Sequence, residues 1–370
     1  MAQAKGLNKV LRKQPINRRM VVAMLPCLAA SVYFFGWRCL FVTLWAAVVG
    51  FIVEFIFCRK RGEPVSEAVF VTTTIFAMVM PPTVPLHVLT IGVVFAVMFS
   101  KEVFGGFGRN IFNPAMAGRC FVYVCFPIAL TSSWAPVAKG PLGALGAWTT
   151  AVSPDVVTGA SPMAHLKAGR IVLEEGGANE IPPDVPEGEV VAITRAALFR
   201  GLAFGRISGT MGVTSALVIL IGGVYLFWTR TASRTIILTL IITYAGLNQI
   251  LYAFGVEPVP GAWPAVMGGG FLFGAFFMAT DPVSSPRTEQ ARVIYAILIG
   301  VFTTVIRNFS IFNGGLMFSI LIGNMFAPIL DYAVRAHKSR KAGRGASRCE
   351  ISGGFLSATC LSSRHSSVRL

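Results

Sequence analysis

The octapeptide Asp155-Val156-Val157-Thr158-Gly159-Ala160-Ser161-Pro162 sets two hydroxyls around a Gly-Ala pair, with a carboxylate upstream. Gly159 and Ala160 carry little or no side chain, so a bulky group can approach this backbone closely. On composition alone the same residues describe an ordinary turn. A second candidate is Lys101-Glu102-Val103-Phe104-Gly105-Gly106-Phe107-Gly108-Arg109-Asn110, which runs into Ile111-Phe112-Asn113-Pro114-Ala115. Gly105, Gly106 and Gly108 permit left-handed backbone. With Asn110 and Asn113 they suit a re-entrant loop whose N–H groups cradle a ligand, a tight helix–helix connection being the plain alternative. Third, Glu54, Asp281 and Asp331 are carboxylates inside or at the ends of apolar runs, where charge is costly and marks function. Hard oxygen donors of this kind suit a sodium path. An interfacial acid near a helix end is the other reading of Asp281 and Asp331, and Glu54 lies five residues from Arg59, near enough to snorkel.

The sequence around these groups belongs in a membrane. Of 370 residues, 54% are hydrophobic and 13% charged, against about 25% charged in soluble domains. Ten apolar runs are predicted as spans: 20–36, 39–58, 67–80, 86–100, 115–131, 210–228, 235–254, 264–280, 293–306 and 311–334. Counting from a cytoplasmic N-terminus, Arg59-Lys60-Arg61, Lys101, Arg109, Arg230, Arg234, Arg287 and Arg292 fall inside. Only Arg38, His87 and Arg307 fall in short outside turns. Both tails are then cytoplasmic. The expected domains are a basic N-terminus (1–19), a first membrane repeat (20–131), an external interval (132–209) carrying the Asp155–Pro162 motif, a second repeat (210–334) and a basic, disordered tail (335–370).

The halves echo each other at an offset of 200. Phe76, Met78 and Pro82 match Phe276, Met278 and Pro282, and Ile111-Phe112-Asn113 matches Ile311-Phe312-Asn313. Five spans per half is odd, so the copies are inverted. The fold class predicted is therefore an all-α integral membrane protein of about ten helices, in two inverted five-helix repeats with broken or re-entrant segments. The breaks are Pro81-Pro82-Thr83-Val84-Pro85 and Asp281-Pro282-Val283, where a mid-membrane pathway forms in such folds; a packing relic of duplication is the alternative.

The net charge of +16 sits largely in the two tails and does not indicate nucleic-acid binding. Seven cysteines contain no C-x-x-C pair, and the four histidines show no metal spacing, so neither an iron–sulfur cluster nor a zinc site is supported.

Asp155–Ser161 resembles the flavin-attachment motif of a family that includes the B subunit of the sodium-translocating NADH:quinone oxidoreductase and the D subunit of the Rnf complex. The run from Lys101 to Ala115 is similar to that family's Gly-rich signature. Gly209-Thr210-Met211-Gly212, Phe277–Ser284 and Phe326–Asp331 follow in family order, so the resemblance covers about residues 16–340. It implies FMN esterified through its phosphate to Ser161, with Asp155, Thr158, Gly159 and Ala160 shaping the site. It also implies riboflavin and quinone as redox partners, sodium as the pumped ion, a flavin transferase for maturation, and further subunits in a bacterial inner membrane. The NADH:quinone oxidoreductase B subunit is the first expectation and the Rnf D subunit the second; a non-redox solute channel on the same repeat is the third. Four departures stand out. Ser161 replaces the usual Thr, Val213 stands where an acid is usual, 163–205 is longer than usual, and 341–370 has no counterpart.

Overall fold

The computed structural model describes residues 11–131, 134–138, 140, 142–150, 162–179, 181, 190–310 and 314–352. The first half contributes α1 (Pro15–Phe35), α2 (Arg38–Arg61), α3 (Ala68–Met78), α4 (Leu86–Val97), α5 (Pro114–Cys125) and α6 (Pro127–Thr131). The interval between the halves holds α7 (Pro162–Lys167) and α8 (Arg195–Phe204). The second half contributes α9 (Ala216–Trp228), α10 (Arg234–Ala253), α11 (Ala262–Met267), α12 (Phe271–Phe273), α13 (Glu289–Phe309) and α14 (Gly315–Ser352). The fold is mostly helical as expected. The exceptions among the described residues are two parallel strand pairs, β1 (Leu11–Arg12) with β2 (Val65–Ser66) and β3 (Ile171–Ala178) with β4 (Val191–Ile193).

Among the described residues, five helices are long and apolar enough to cross a membrane: α1, α2, α10, α13 and the first part of α14. The other five expected runs hold helix that is short or interrupted. Helices α3 and α9 have 11 and 13 residues, below the roughly 20 of a full span. Helix α4 continues into a π-helical turn, Met98–Glu102, and α12 into another, Gly274–Met278. Side chains that face outward are apolar, with Trp228 and Phe254 about four-fifths exposed at 81% and 80%. A soluble surface would not carry so many large apolar groups.

Proline explains how the halves join. Met78 ends α3, and Pro82, four residues on, has no N–H to give its carbonyl. Gly212 N–H donates to that carbonyl at 2.8 Å, and Met211 N–H donates to the carbonyl of Met80 at 3.0 Å. Met278 and Pro282 repeat the defect. There the Asn113 side chain donates Nδ2 to the Met278 carbonyl at 3.2 Å, beside a long 3.4 Å bond from Asp281 N–H. Each half thus supplies a donor that the other half's proline removes.

The tail departs from expectation. Helix α14 continues to Ser352, so 335–352 is helical rather than disordered. Ala, Lys and Arg dominate 335–345 and are good helix formers, while Gly343 and Gly345 are not strong enough breakers to stop it.

Candidate functional site

Helix α2 buries one stripe: Cys39, Val42, Thr43, Ala46, Gly50, Glu54 and Cys58. The spacing of three or four residues keeps these positions on a single face, so Glu54 points inward with the rest. The opposing side is α4 and its π turn. One extra residue per turn rotates Ser100, Lys101 and Glu102 into the interior, where all three are buried. Lys101 Nζ lies 2.5 Å from Glu54 Oε2, with side-chain exposures of 2% and 1%. Ser66 N–H donates to Glu54 Oε1 at 3.0 Å. Glu54 is therefore a sealed, paired carboxylate and does not snorkel. Lys101, expected on an inner loop, is its partner.

A second pair lies beside the first. Arg61, in the last turn of α2, donates to Glu102 Oε2, while Glu102 Oε1 is buried without a partner. The ligand atoms of Glu54, Cys58 and Glu102 lie within 4.8 Å of one another. Each carboxylate already has a cation, and among these carboxylate oxygens Glu102 Oε1 is left without a partner.

The glycines of the loop serve this network. Gly105, Gly106 and Gly108 have φ of +103°, +92° and +88°. A Cβ on Gly106 would stand 2.8 Å from Arg61 Nη2, whereas one on Gly108 would meet nothing within 4 Å. Gly106 thus admits Arg61 to Glu102. Asn113 caps α5, its Oδ1 accepting from Ala115 and Met116 N–H at 3.1 and 3.3 Å. With Nδ2 on Met278, its side chain works chiefly as a joint between the halves.

A pocket opens above this joint. Lys101, Asn110, Asn113, Thr280 and Asp281 give it polar groups, and Met20, Ile75, Phe107 and Phe277 give it apolar walls. The structure therefore brings Asn113 and Asp281 together with Lys101, and through Lys101 with Glu54. Asp281 also fastens its own break, accepting from Ser284 Oγ at 2.7 Å and Val283 N–H at 3.4 Å. Asp331 is elsewhere. From α14 it accepts Arg287 N–H at 2.8 Å, Thr288 N–H at 2.9 Å and Thr288 Oγ at 2.8 Å, and so caps the start of α13.

Asp155, Thr158, Gly159, Ala160 and Ser161 lie outside the described residues. The chain on either side is anchored. Upstream, Trp37 Nε1 donates to the Leu145 carbonyl and Arg38 N–H to the Trp148 carbonyl, both at 2.8 Å. Downstream, Leu166, Ile171, Ile193, Leu198 and Leu202 form a small apolar cluster against Met267. Lys167 Nζ donates to the carbonyl of Arg307 at 2.8 Å and to that of Ser310. Arg307, expected in an exposed turn, is buried inside the last turn of α13. Sequence reasoning missed it because a cation near the end of an apolar run reads as flanking charge.

The profile of the NQR2, RnfD, RnfE family matches residues 7–340. The B subunit of the Na(+)-translocating NADH-quinone reductase of Pseudoalteromonas atlantica is 33% identical over 312 residues, covering 82% of this chain and 68% of that protein. The same subunit from Klebsiella pneumoniae is 35% identical over 305 residues, with coverages of 80% and 67%. The D subunit of the ion-translocating oxidoreductase complex of Alcanivorax borkumensis is 34% identical over 340 residues, covering 88% of this chain and 93% of that one.

Proposed function

The chain belongs to the NQR2, RnfD, RnfE family, and on that premise we propose that it is the membrane subunit of a flavin-dependent, sodium-pumping NADH:quinone oxidoreductase. The reading is of the B-subunit kind, acting with other subunits in a bacterial inner membrane. The observation that carries it is the sealed Glu54–Lys101 pair at the edge of a polar-lined pocket between the two halves. Burying two charges carries a desolvation cost that their attraction often does not repay, and acids inside apolar segments commonly mark ion or proton pathways.

FMN supplies electron transfer when bound, and riboflavin and quinone are its proposed redox partners. This chain's residues place and insulate the flavin. Ser161 offers the hydroxyl for the phosphoester made by a flavin transferase, Thr158 and Asp155 flank it, and Gly159-Ala160 leaves room. In the pocket, Lys101 and Asn110 set polar groups among the apolar side chains of Met20, Ile75 and Phe277. Glu54 is the first cation ligand of the ion path. A sodium ion held by its carboxylate would have to displace Lys101 Nζ, which already lies 5.9 Å from the Phe107 ring centroid. Asp281 is the next oxygen donor on the same pocket wall. Asp331, already holding three hydrogen bonds, stands apart from this path.

The Rnf D subunit is the second reading: the Alcanivorax borkumensis relative is 34% identical over 340 residues, the Pseudoalteromonas atlantica relative 33% over 312. The deciding experiment is mass spectrometry of the wild-type chain, co-expressed with its transferase and denatured. A flavin-bearing peptide spanning Asp155–Lys167 is expected. Ser161→Ala should abolish in-gel flavin fluorescence with the protein folded, and Ser161→Thr should keep or raise it, since the methyl restricts χ1. A wild-type chain without that peptide defeats the covalent assignment in favour of a non-redox transporter. Reduction driven by NADH rather than ferredoxin in the assembled complex separates the first reading from the second.

A further inference from the structure

Arg307 is only 8% exposed. Its guanidinium donates Nη1 to Tyr244 Oη at 3.1 Å and, at the long distance of 3.5 Å, to the Ala265 carbonyl. It also lies 6.0 Å from the Tyr244 ring centroid. An arginine side chain has five N–H donors on three nitrogens and cannot shed its charge; these contacts use one nitrogen. Among the described residues no carboxylate pairs with it. The wall against the fork is backbone, since Gly269 packs too closely to Arg307 to carry a side chain and has a φ of +57°.

A second cation, Lys167, lies at the same end of α13. Lys167 caps the end of α13 through the carbonyls of Arg307 and Ser310, and burial together with the Arg307 charge holds its amine below the usual lysine range. Lys167 Nζ thus lies 2.8 Å from the backbone carbonyl of Arg307, and among the described residues no carboxylate pairs with either cation, although an uncompensated charge is expensive. A guanidinium fork matches the oxygens of a phosphate group, and an ammonium adds a point charge.

We propose that Arg307 and Lys167 form a phosphate-binding site at this end of α13, filled by the phosphodiester of the flavin attached at Ser161. The occupant rests on the flavin reading above; the anion site does not. Lys167 is only six positions after Ser161, so the attachment residue and the site are close in sequence. An anionic lipid headgroup offers the same chemistry from another source.

The test uses the full chain in detergent. Ser161→Ala has no hydroxyl to esterify, so its site stands open. Saturating inorganic phosphate should raise its unfolding midpoint by roughly 3 °C. Adding Arg307→Gln should abolish that rise, and Arg307→Lys should retain part of it. Should Arg307→Gln not fold, Tyr244→Phe removes the hydroxyl that aims the guanidinium and should weaken the apparent phosphate affinity at least twofold. Flavinylated wild type should not respond, because its own phosphodiester fills the site. A phosphate response that Arg307→Lys and Tyr244→Phe leave unchanged overturns the proposal. An Arg307-dependent response of equal size in flavinylated wild type overturns the flavin as occupant, and competition by phosphatidylglycerol nanodiscs then identifies a headgroup. Arg307-dependent phosphate binding in a wild-type chain without any flavin peptide upholds the anion site and sinks only the flavin reading.

Discussion

Glu54 and Lys101, 47 positions apart, form one ion pair because the π-helical turn of Met98–Glu102 aims Lys101 at the buried stripe of α2. The pair carries two consequences that separate experimentally. Glu54→Gln leaves a buried ammonium without its counter-charge, so a stability loss of about 3–5 kcal/mol is expected, together with slower sodium-stimulated quinone reduction. Glu54→Gln combined with Lys101→Met should recover most of the thermal stability and none of the sodium stimulation. Recovery of both would make the pair purely structural.

Gly106 and Gly108 share positive φ but not surroundings. Gly108→Ala adds only backbone strain, about 1 kcal/mol. Gly106→Ala adds the same strain and also pushes Arg61 from Glu102, so a loss of roughly 2–3 kcal/mol is expected. Chemical unfolding of the two variants checks the order; equal losses would show that the loop does not hold the Arg61–Glu102 pair.

Asp331→Asn should behave as a lost helix cap, costing about 1 kcal/mol, with sodium dependence of turnover unchanged. The carboxylate serves three donors at the start of α13 and has little capacity left for a cation. A raised sodium requirement in this variant would return Asp331 to the ion path.

The interval 132–209 is expected outside, from the basic residues on the opposite loops. Gly176 is the site to probe: it is exposed, and an added Cβ there meets nothing within 4 Å, whereas at Gly177 it would stand 2.6 Å from the Ala192 backbone. Gly176→Cys should react with a membrane-impermeant thiol reagent in intact cells. Labelling only after lysis would place the interval on the cytoplasmic side.

Much of this architecture was legible in the sequence, for definite reasons. An acid set among Phe51, Phe55 and Phe57 announces itself, and the Pro-rich breaks at 81–85 and 281–283 mark where helices stop. What was hidden depends on pairing across distance or on backbone registration. The ten apolar runs all contain helix, yet half are short or interrupted, because hydropathy records where a segment prefers to be and not how far its hydrogen bonds run. The π turn has no sequence signature, so Lys101 looked like a loop cation. Arg307 looked like flanking charge because its partner Tyr244 lies 63 positions away. Asp331 looked like a membrane acid, although its work is capping a helix that begins 42 positions earlier.

The crossed bonds at the two prolines bear on how the chain is made. Met78 and Met80 present their carbonyls as soon as α3 emerges, but their donors, Gly212 and Met211, lie more than 130 positions later. At 5–20 residues per second, translation leaves these groups waiting for on the order of ten seconds. Lipid offers no substitute donor. The nascent first half therefore has to stay in a wet environment, such as a lateral opening of the insertion machinery, until the second half arrives to release it into the bilayer.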